Sequence, residues 1–349
     1  MQKKIIALAI ASAMTVPAMA YAEATISGQV NMSVDMKKDG NTTEASTNVL
    51  SSNNSRLVFK GAEDLGNGLS AIWQLDSRFS TDTGAITGST LFGGNNYLGL
   101  KSDAFGTLMA GKIDAPYKSS TRNLDVFFDV AGDSRSSNGS AIAGLLTHDV
   151  RLDNALAYVS PSMSGFSLAA ATVFGAETAA ANTTKGSAYS LAAMYSMDAI
   201  YATLAYQTVK YGSPLTGDLA AAGAIAVDDE NNALKLGGGF KMDAFTVNAV
   251  IERPTTKVAA TGVSTSNTNV YIGARFNLSD TDGVRAAFTK RGATSGASND
   301  AKQYAVGYDH NMSKTTSVYA TYVKTTDNTT VPAAVADPSV LSFGMKHSF

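Results

Sequence analysis

The sequence predicts an all-β fold, a transmembrane antiparallel β-barrel of sixteen strands. Three observations carry that expectation. Apolar and polar residues alternate over long segments, and short connections alternate with long ones. Past residue 22, no apolar run approaches the roughly 20 residues of a membrane helix.

Residues 1–22 read as an export signal peptide, with Lys3 and Lys4, an apolar stretch from Ile5 to Met14, and the small-residue site Ala20-Tyr21-Ala22. Removing it leaves 23–349 as the barrel and takes the formal charge from −2 to −4. That balance excludes nucleic-acid binding by counterion release, which needs a basic face. The absence of cysteine excludes disulfide scaffolds, thiol catalysis and thiolate metal sites. His148, His310 and His347 stand far apart in no ligand spacing. No cofactor, metal or catalytic residue is expected. Charged residues make up only 16% of the chain, low for a soluble enzyme.

The first strand is the clearest. From Thr25 to Met36, Ser27, Gln29, Asn31, Ser33 and Asp35 fall on one face, and Ile26, Gly28, Val30, Met32, Val34 and Met36 on the other. Leu57/Phe59 and Ala71/Trp73/Leu75 repeat the pattern. Weaker segments follow near 95–101, 105–112 and 150–159. Further on come Phe166/Leu168, Tyr189/Leu191, Ile200/Leu204/Tyr206, Leu234/Leu236/Phe240 and Phe245/Val247/Ile251. The last are Val270/Ile272/Phe276, Val284/Phe288, Tyr304/Val306/Tyr308, Val318/Tyr322 and Leu341/Phe343/Met345/Phe349. Short turns such as Asp64 to Gly68, Met197-Asp198 and Met242-Asp243 alternate with long polar loops, the pattern of an outer-membrane barrel. All seven prolines are expected outside strands. A soluble β-sandwich or solenoid would also alternate. Against it stand the number and length of the segments and polar faces made mainly of Ser, Thr, Asn, Gln and Gly.

The stretch Asn54 to Leu69 (NSRLVFKGAEDLGNGL) resembles the second strand and first turn of the trimeric general porins of Gram-negative outer membranes. Tyr97-Leu98-Gly99-Leu100-Lys101 with Phe105-Gly106-Thr107, the run Asp153 to Pro161, and the ending Gly344 to Phe349 are similar to the same family. The resemblance implies a homotrimer of sixteen-stranded barrels among outer-membrane lipids and lipopolysaccharide. Each barrel would be a water-filled pore for small hydrophilic solutes, narrowed by a third extracellular loop folded into the lumen. The terminal Phe349 resembles the signal read by the outer-membrane barrel assembly machinery.

The segment of about 113–148 lacks alternation and, by the resemblance, is the constricting loop. It carries Asp125, Asp129 and Asp133, with Phe127 and Phe128 able to anchor it. Opposite, alternation turns Arg56 inward, because Leu57 and Phe59 face lipid. The same parity sets Lys112 against Phe105 and Met109, and Arg151 against Leu152, Leu156 and Tyr158. Arg56, Lys112 and Arg151 match basic pore-lining positions of the family, and Asp76 matches an acidic one. Arg78 and Arg135 are further candidates. Gln29 stands where some relatives carry another lysine.

Cations facing carboxylates across a narrow wet gap would set up a transverse field. Three cations, Arg56, Lys112 and Arg151, against Asp76, Asp125 and Asp129 predict weak ion selectivity. The leading expectation is a passive diffusion channel. A substrate-specific channel of the same fold would need an aromatic slide, for which only Tyr201, Tyr271 and Tyr319 offer inward rings. A barrel adhesin or enzyme with a plugged lumen is the third reading. Gly237-Gly238-Gly239 is not followed by a helix pattern and is expected to mark a close backbone contact.

Overall fold

The computed structural model describes residues 24–38, 46–87, 90–135, 146, 148–174, 186–212, 226, 228–295, 297, 299–327 and 337–349. Residues 1–23, with the expected signal peptide 1–22, and parts of the loops near 175–186, 210–231 and 325–338 and of the expected constricting loop 113–148 lie outside the described residues.

The strand segments begin with Thr25–Lys38 (β1), Ser46–Ser52 (β2), Arg56–Gly66 (β3), Leu69–Arg78 (β4), Asn96–Ser102 (β5) and Gly106–Asp114 (β6). Next are Arg151–Val159 (β7), Phe166–Val173 (β8), Ser187–Met197 (β9), Ile200–Lys210 (β10), Glu230–Met242 (β11) and Phe245–Lys257 (β12). The series ends with Ser264–Ser266 (β13), Asn269–Asn277 (β14), Asp282–Arg291 (β15), Ala301–Asn311 (β16), Thr316–Asp327 (β17) and Ser339–Ser348 (β18).

All pair antiparallel in one sheet, and β18 pairs with β1, so the sheet closes on itself. The 18 segments make sixteen barrel strands, because two strands are each interrupted once. β1 pairs with β2 along Met32–Lys38 and with β3 along Thr25–Gln29. β12 pairs likewise with β13 and then β14. Closure leaves no unpaired edge in the hydrocarbon, the condition that lets a sheet cross a membrane. At the seam, Phe349 N donates to Gly28 O at 3.1 Å and Gly28 N to Phe349 O at 2.9 Å.

Pro254 departs from expectation. It lies within β12, where that strand changes partner between Asn269 of β14 and Ser266 of β13. An interrupted stretch of ladder tolerates a residue without an N–H.

The alternation read from the sequence sorts the faces. Leu98, Leu168, Leu191, Leu204, Leu234, Leu236, Ile251, Ile272, Tyr304, Val306 and Phe343 are exposed on the outside, an apolar belt for lipid. Asn31, Ser190, Gln207, Asn248, Gln303, Thr321 and Ser342 are buried on the inside, under the loop that links β6 to β7.

Candidate functional site

The β6–β7 loop makes a short helix at Pro116–Ser119 and one 3-10 turn at Arg122–Leu124. It then runs along the inner wall, bonding one strand after another. Tyr117 N donates to Ser190 Oγ of β9 at 2.9 Å and its hydroxyl to Glu252 of β12 at 3.0 Å. Asn248 of β12 donates to Leu124 O at 2.8 Å, and Val126 N donates to the Tyr271 hydroxyl of β14 at 2.8 Å. Arg285 of β15 holds Val126 O at 2.9 Å, Gln303 of β16 holds Gly132 O at 2.8 Å, and Asn31 of β1 holds Asp129 O at 2.6 Å. Every one of these wall residues belongs to the inward series, so the loop lies inside the barrel.

Apolar contacts fix the same path. Phe127 is fully buried with Ala305, Tyr319 and Val323, and Leu124 packs with Val250 and Tyr271. The wall makes room with glycine. A Cβ on Gly237 would stand 2.8 Å from Thr121 and 2.9 Å from Leu124, and one on Gly307 3.0 Å from Phe127. Gly237 and Gly239 of the triple glycine are therefore close contacts with the loop. Tyr201, Tyr271 and Tyr319 do point inward, but their hydroxyls bond Ser120 O, Val126 N with Asp125, and Asn31 with Asn53.

The three loop carboxylates are occupied by the protein itself. Asp125 accepts from Phe127 N and Ser134 N at 2.8 Å each, from Ser134 Oγ at 2.5 Å and from Tyr271 at 3.2 Å. Asp133 accepts from Asp129 N at 3.2 Å and Arg135 N at 2.9 Å. Burial, then the Asp125 carboxylate, pushes Asp133 up to about 7. Asp129 takes a positive φ of 62° and accepts from Arg56 at 2.8 Å, Gln29 at 3.0 Å and Asn54. Asn54 sits in the break between β2 and β3, so the interruption in the second barrel strand is the dock for the loop tip. Gln29, read as a missing charge, is a tether. The expected gap between Arg56 and Asp129 is a direct ion pair instead.

Asp76 pairs with Arg78 on its own strand, at 2.9 and 3.1 Å. Arg151 is nearly buried and donates to Gly93 O at 2.8 Å and Asn95 at 3.1 Å, 3.0 Å from Asp114. Arg135 meets Asp149 at 2.5 Å and Thr121 O at 2.6 Å.

Lys112 corrects the reading. Leu108 and Ala110 are exposed, while Met109 and Ile113 pack in the inner cluster. Lys112 therefore continues the outward series, paired with Asp153 at 2.8 Å. The sequence reading had taken Met109 as the lipid side, because β6 has no strong apolar face to settle its parity.

Several charges were not anticipated. Lys235 of β11 is fully buried, bonded to Asp149, 3.5 Å from Glu252 and 3.9 Å above the Tyr117 ring. His148 meets the edge of that ring at 5.4 Å, and burial, then the Lys235 charge, pulls it down to about 4. Arg122 lies 4.1 Å over Phe128, and Arg275 grips Asp309 with bonds of 2.7 and 2.6 Å. Lys346 joins the inner series of β18. Parity beside Leu234/Leu236 and Met345 could have found Lys235 and Lys346. Nothing local marked Arg122 apart from its place in the loop.

A family model described as Gram-negative porin matches residues 7–330. The chain belongs to the Gram-negative porins. This porin is 28% identical over 329 residues to a major outer membrane protein P.IB of Neisseria lactamica, covering 91% of each chain. An outer membrane porin protein of Bordetella pertussis is 36% identical over 115 residues, covering 33% of this chain and 29% of that protein. The solved anion-selective porin from Comamonas acidovorans shares the fold, with a TM-score of 0.76 at 18% identity over 94% of this porin and 100% of that chain. The porin is thus an outer-membrane channel for passive solute diffusion, matching the barrel expected from sequence.

Proposed function

We propose that this porin is a general diffusion channel whose neck lies where the loop tip meets β1 and β3, and that the neck favours anions. One observation carries this reading: the carboxylates there are spent and the cations are not. Asp125, Asp129 and Asp76 are almost fully buried, each holding hydrogen bonds from the protein. Arg56 gives one nitrogen to Asp129 and keeps 22% of its side chain exposed, and Arg122 keeps 25%. A solute therefore meets donors with free N–H groups, and a wall of low dielectric focuses their field. No bond is made or broken in this reading.

Loop and wall act together. The Arg56–Asp129 pair holds the loop tip and leaves the remaining guanidinium edge toward the water. The resemblance adds a homotrimer set among lipopolysaccharide and lipid, removal of residues 1–22, and recognition of Phe349 by the assembly machinery. Phe349 and the apolar belt support a strand end at the membrane surface.

Liposome swelling with glucose, glucosamine and galacturonate, solutes of similar size, tests the reading. Galacturonate should enter fastest and glucosamine slowest. Equal rates for the two charged sugars would contradict an anion-favouring neck.

A further inference from the structure

We propose that Asn54, an uncharged residue, sets the charge selectivity of the neck by holding Arg122 off Asp129. The proposal deepens the anion-favouring reading above and rests on it for the sign of the effect.

Asn54 lies in the gap between β2 and β3, where the second barrel strand is interrupted. Its φ of 58° is left-handed, a conformation that asparagine adopts more readily than most residues with a side chain. That turn lets one residue serve three partners. Its backbone oxygen accepts from Gln29 Nε2 at 3.1 Å. Its side-chain Nδ2 donates to Asp129 Oδ1, and its Oδ1 accepts from Arg78 NH1. A carboxylate accepts without donating and a guanidinium donates without accepting. A side chain that bridges the two therefore needs a donor and an acceptor, as an amide has.

The bridge decides how charge is shared around the loop tip. Register sets Arg56 directly opposite Arg78, an unfavourable like-charge pair on one sheet face. The two side chains take different carboxylates. Arg78 binds Asp76 at 3.1 and 2.9 Å, and Arg56 binds Asp129 Oδ2 at 2.8 Å. Gln29 donates to the same Oδ2 at 3.0 Å.

Two groups face the other oxygen, Asp129 Oδ1. Asn54 bonds it, and Arg122 NH2 stands 4.0 Å away, beyond hydrogen-bond range, with its guanidinium 4.1 Å over the Phe128 ring. A neutral amide thus satisfies the oxygen, and the Arg122 side chain stays 25% exposed. A guanidinium bonds a carboxylate more strongly than an amide does. Without the amide, Arg122 closes about 1 Å and spends its charge on Asp129. The neck then loses an exposed cation although no charged residue has changed.

Reversal potentials of the purified full-length porin in a KCl gradient across planar bilayers test this role. Asn54→Gly removes the amide and keeps the left-handed turn. Arg56 and Arg78 keep their carboxylates, and Gln29 keeps the backbone oxygen of residue 54. The variant should lower the chloride-to-potassium permeability ratio about twofold, the worth of one exposed charge pair. Arg122→Gln should lower it by as much, and adding Asn54→Gly to Arg122→Gln should lower it no further. An amide that merely braces the loop would shift the ratio equally with and without Arg122, so equal shifts overturn the proposal. So does a wild-type ratio in Asn54→Gly. If the wild type passes potassium faster than chloride, the anion-favouring reading has failed, while the dependence of the Asn54→Gly shift on Arg122 still decides the role of Asn54. Each variant reports on itself, since only an inserted barrel conducts.

Discussion

Arg56 and Asp129 touch: NH1 donates to Oδ2 at 2.8 Å, across 73 residues of chain. One belongs to the second barrel strand and the other to the tip of the inner loop. The contact ties the loop down and pulls the carboxylate out of the water. It leaves the guanidinium as the more exposed partner, 22% against 4% for the carboxylate.

Arg56→Gln should move the reversal potential toward potassium in a KCl gradient. Adding Arg151→Gln should move it little further, because Arg151 is nearly buried on Gly93, Asn95 and Asp114. That second change should instead cost about 1.5–3 kcal/mol, the usual loss for a hydrogen bond to a charged group. A thermal midpoint left unchanged by Arg151→Gln would remove its anchoring role.

Gly237→Val should push the loop off the wall and lower single-channel conductance, at about 1–3 kcal/mol of overpacking. The adjacent Gly238→Val is the control. A Cβ there meets only Tyr201 O, at 3.6 Å, and should change neither conductance nor stability.

Lys235→Met should be the most damaging single change of this set. It leaves Glu252 buried without a cation while Asp149 keeps Arg135, a loss of about 3–5 kcal/mol for an unpaired buried charge. Glu252→Gln on the same background should restore part of the thermal midpoint. No recovery would mean that Lys235 acts by packing against Tyr117 alone.

His148 gives a pH test. Its pKa is pulled from an ordinary 6.5 to about 4 by burial and by Lys235. Below 6.5 the unfolded chain binds a proton that the folded one refuses, so stability is lost as pH falls from about 6.5 to about 4. Asp133, raised to about 7 by burial and Asp125, works in the opposite sense, losing stability as pH rises. Comparing wild type with His148→Gln cancels the Asp133 contribution. The variant's thermal midpoint should fall less between pH 6.5 and 4, and parallel curves would clear His148 of the effect.

Much of this was legible in the sequence because side-chain direction in a strand has period two. Thr25 to Met36 alone gives β1 and its inward face, and Arg56 and Asp76 follow from their neighbours. Parity fails where the apolar signal is thin, as along β6, where it misplaced Lys112. Pro254 was misread because a proline rule made for continuous ladders meets an interrupted one. The loop acids were found by the resemblance, but their partners were not. Asp125 bonding Ser134, and Asp129 bonding Gln29 and Asn54, depend on how the loop folds across the barrel. A charge can be counted from sequence, whereas its exposure to a passing ion depends on contacts between distant residues.

The most direct test is the reversal potential of the wild-type porin in a KCl gradient across a planar bilayer. Spare donors on Arg56 and Arg122, facing carboxylates already bonded, predict a sign that reports chloride passing faster than potassium. A potential of the opposite sign would show that the buried acids govern the neck after all.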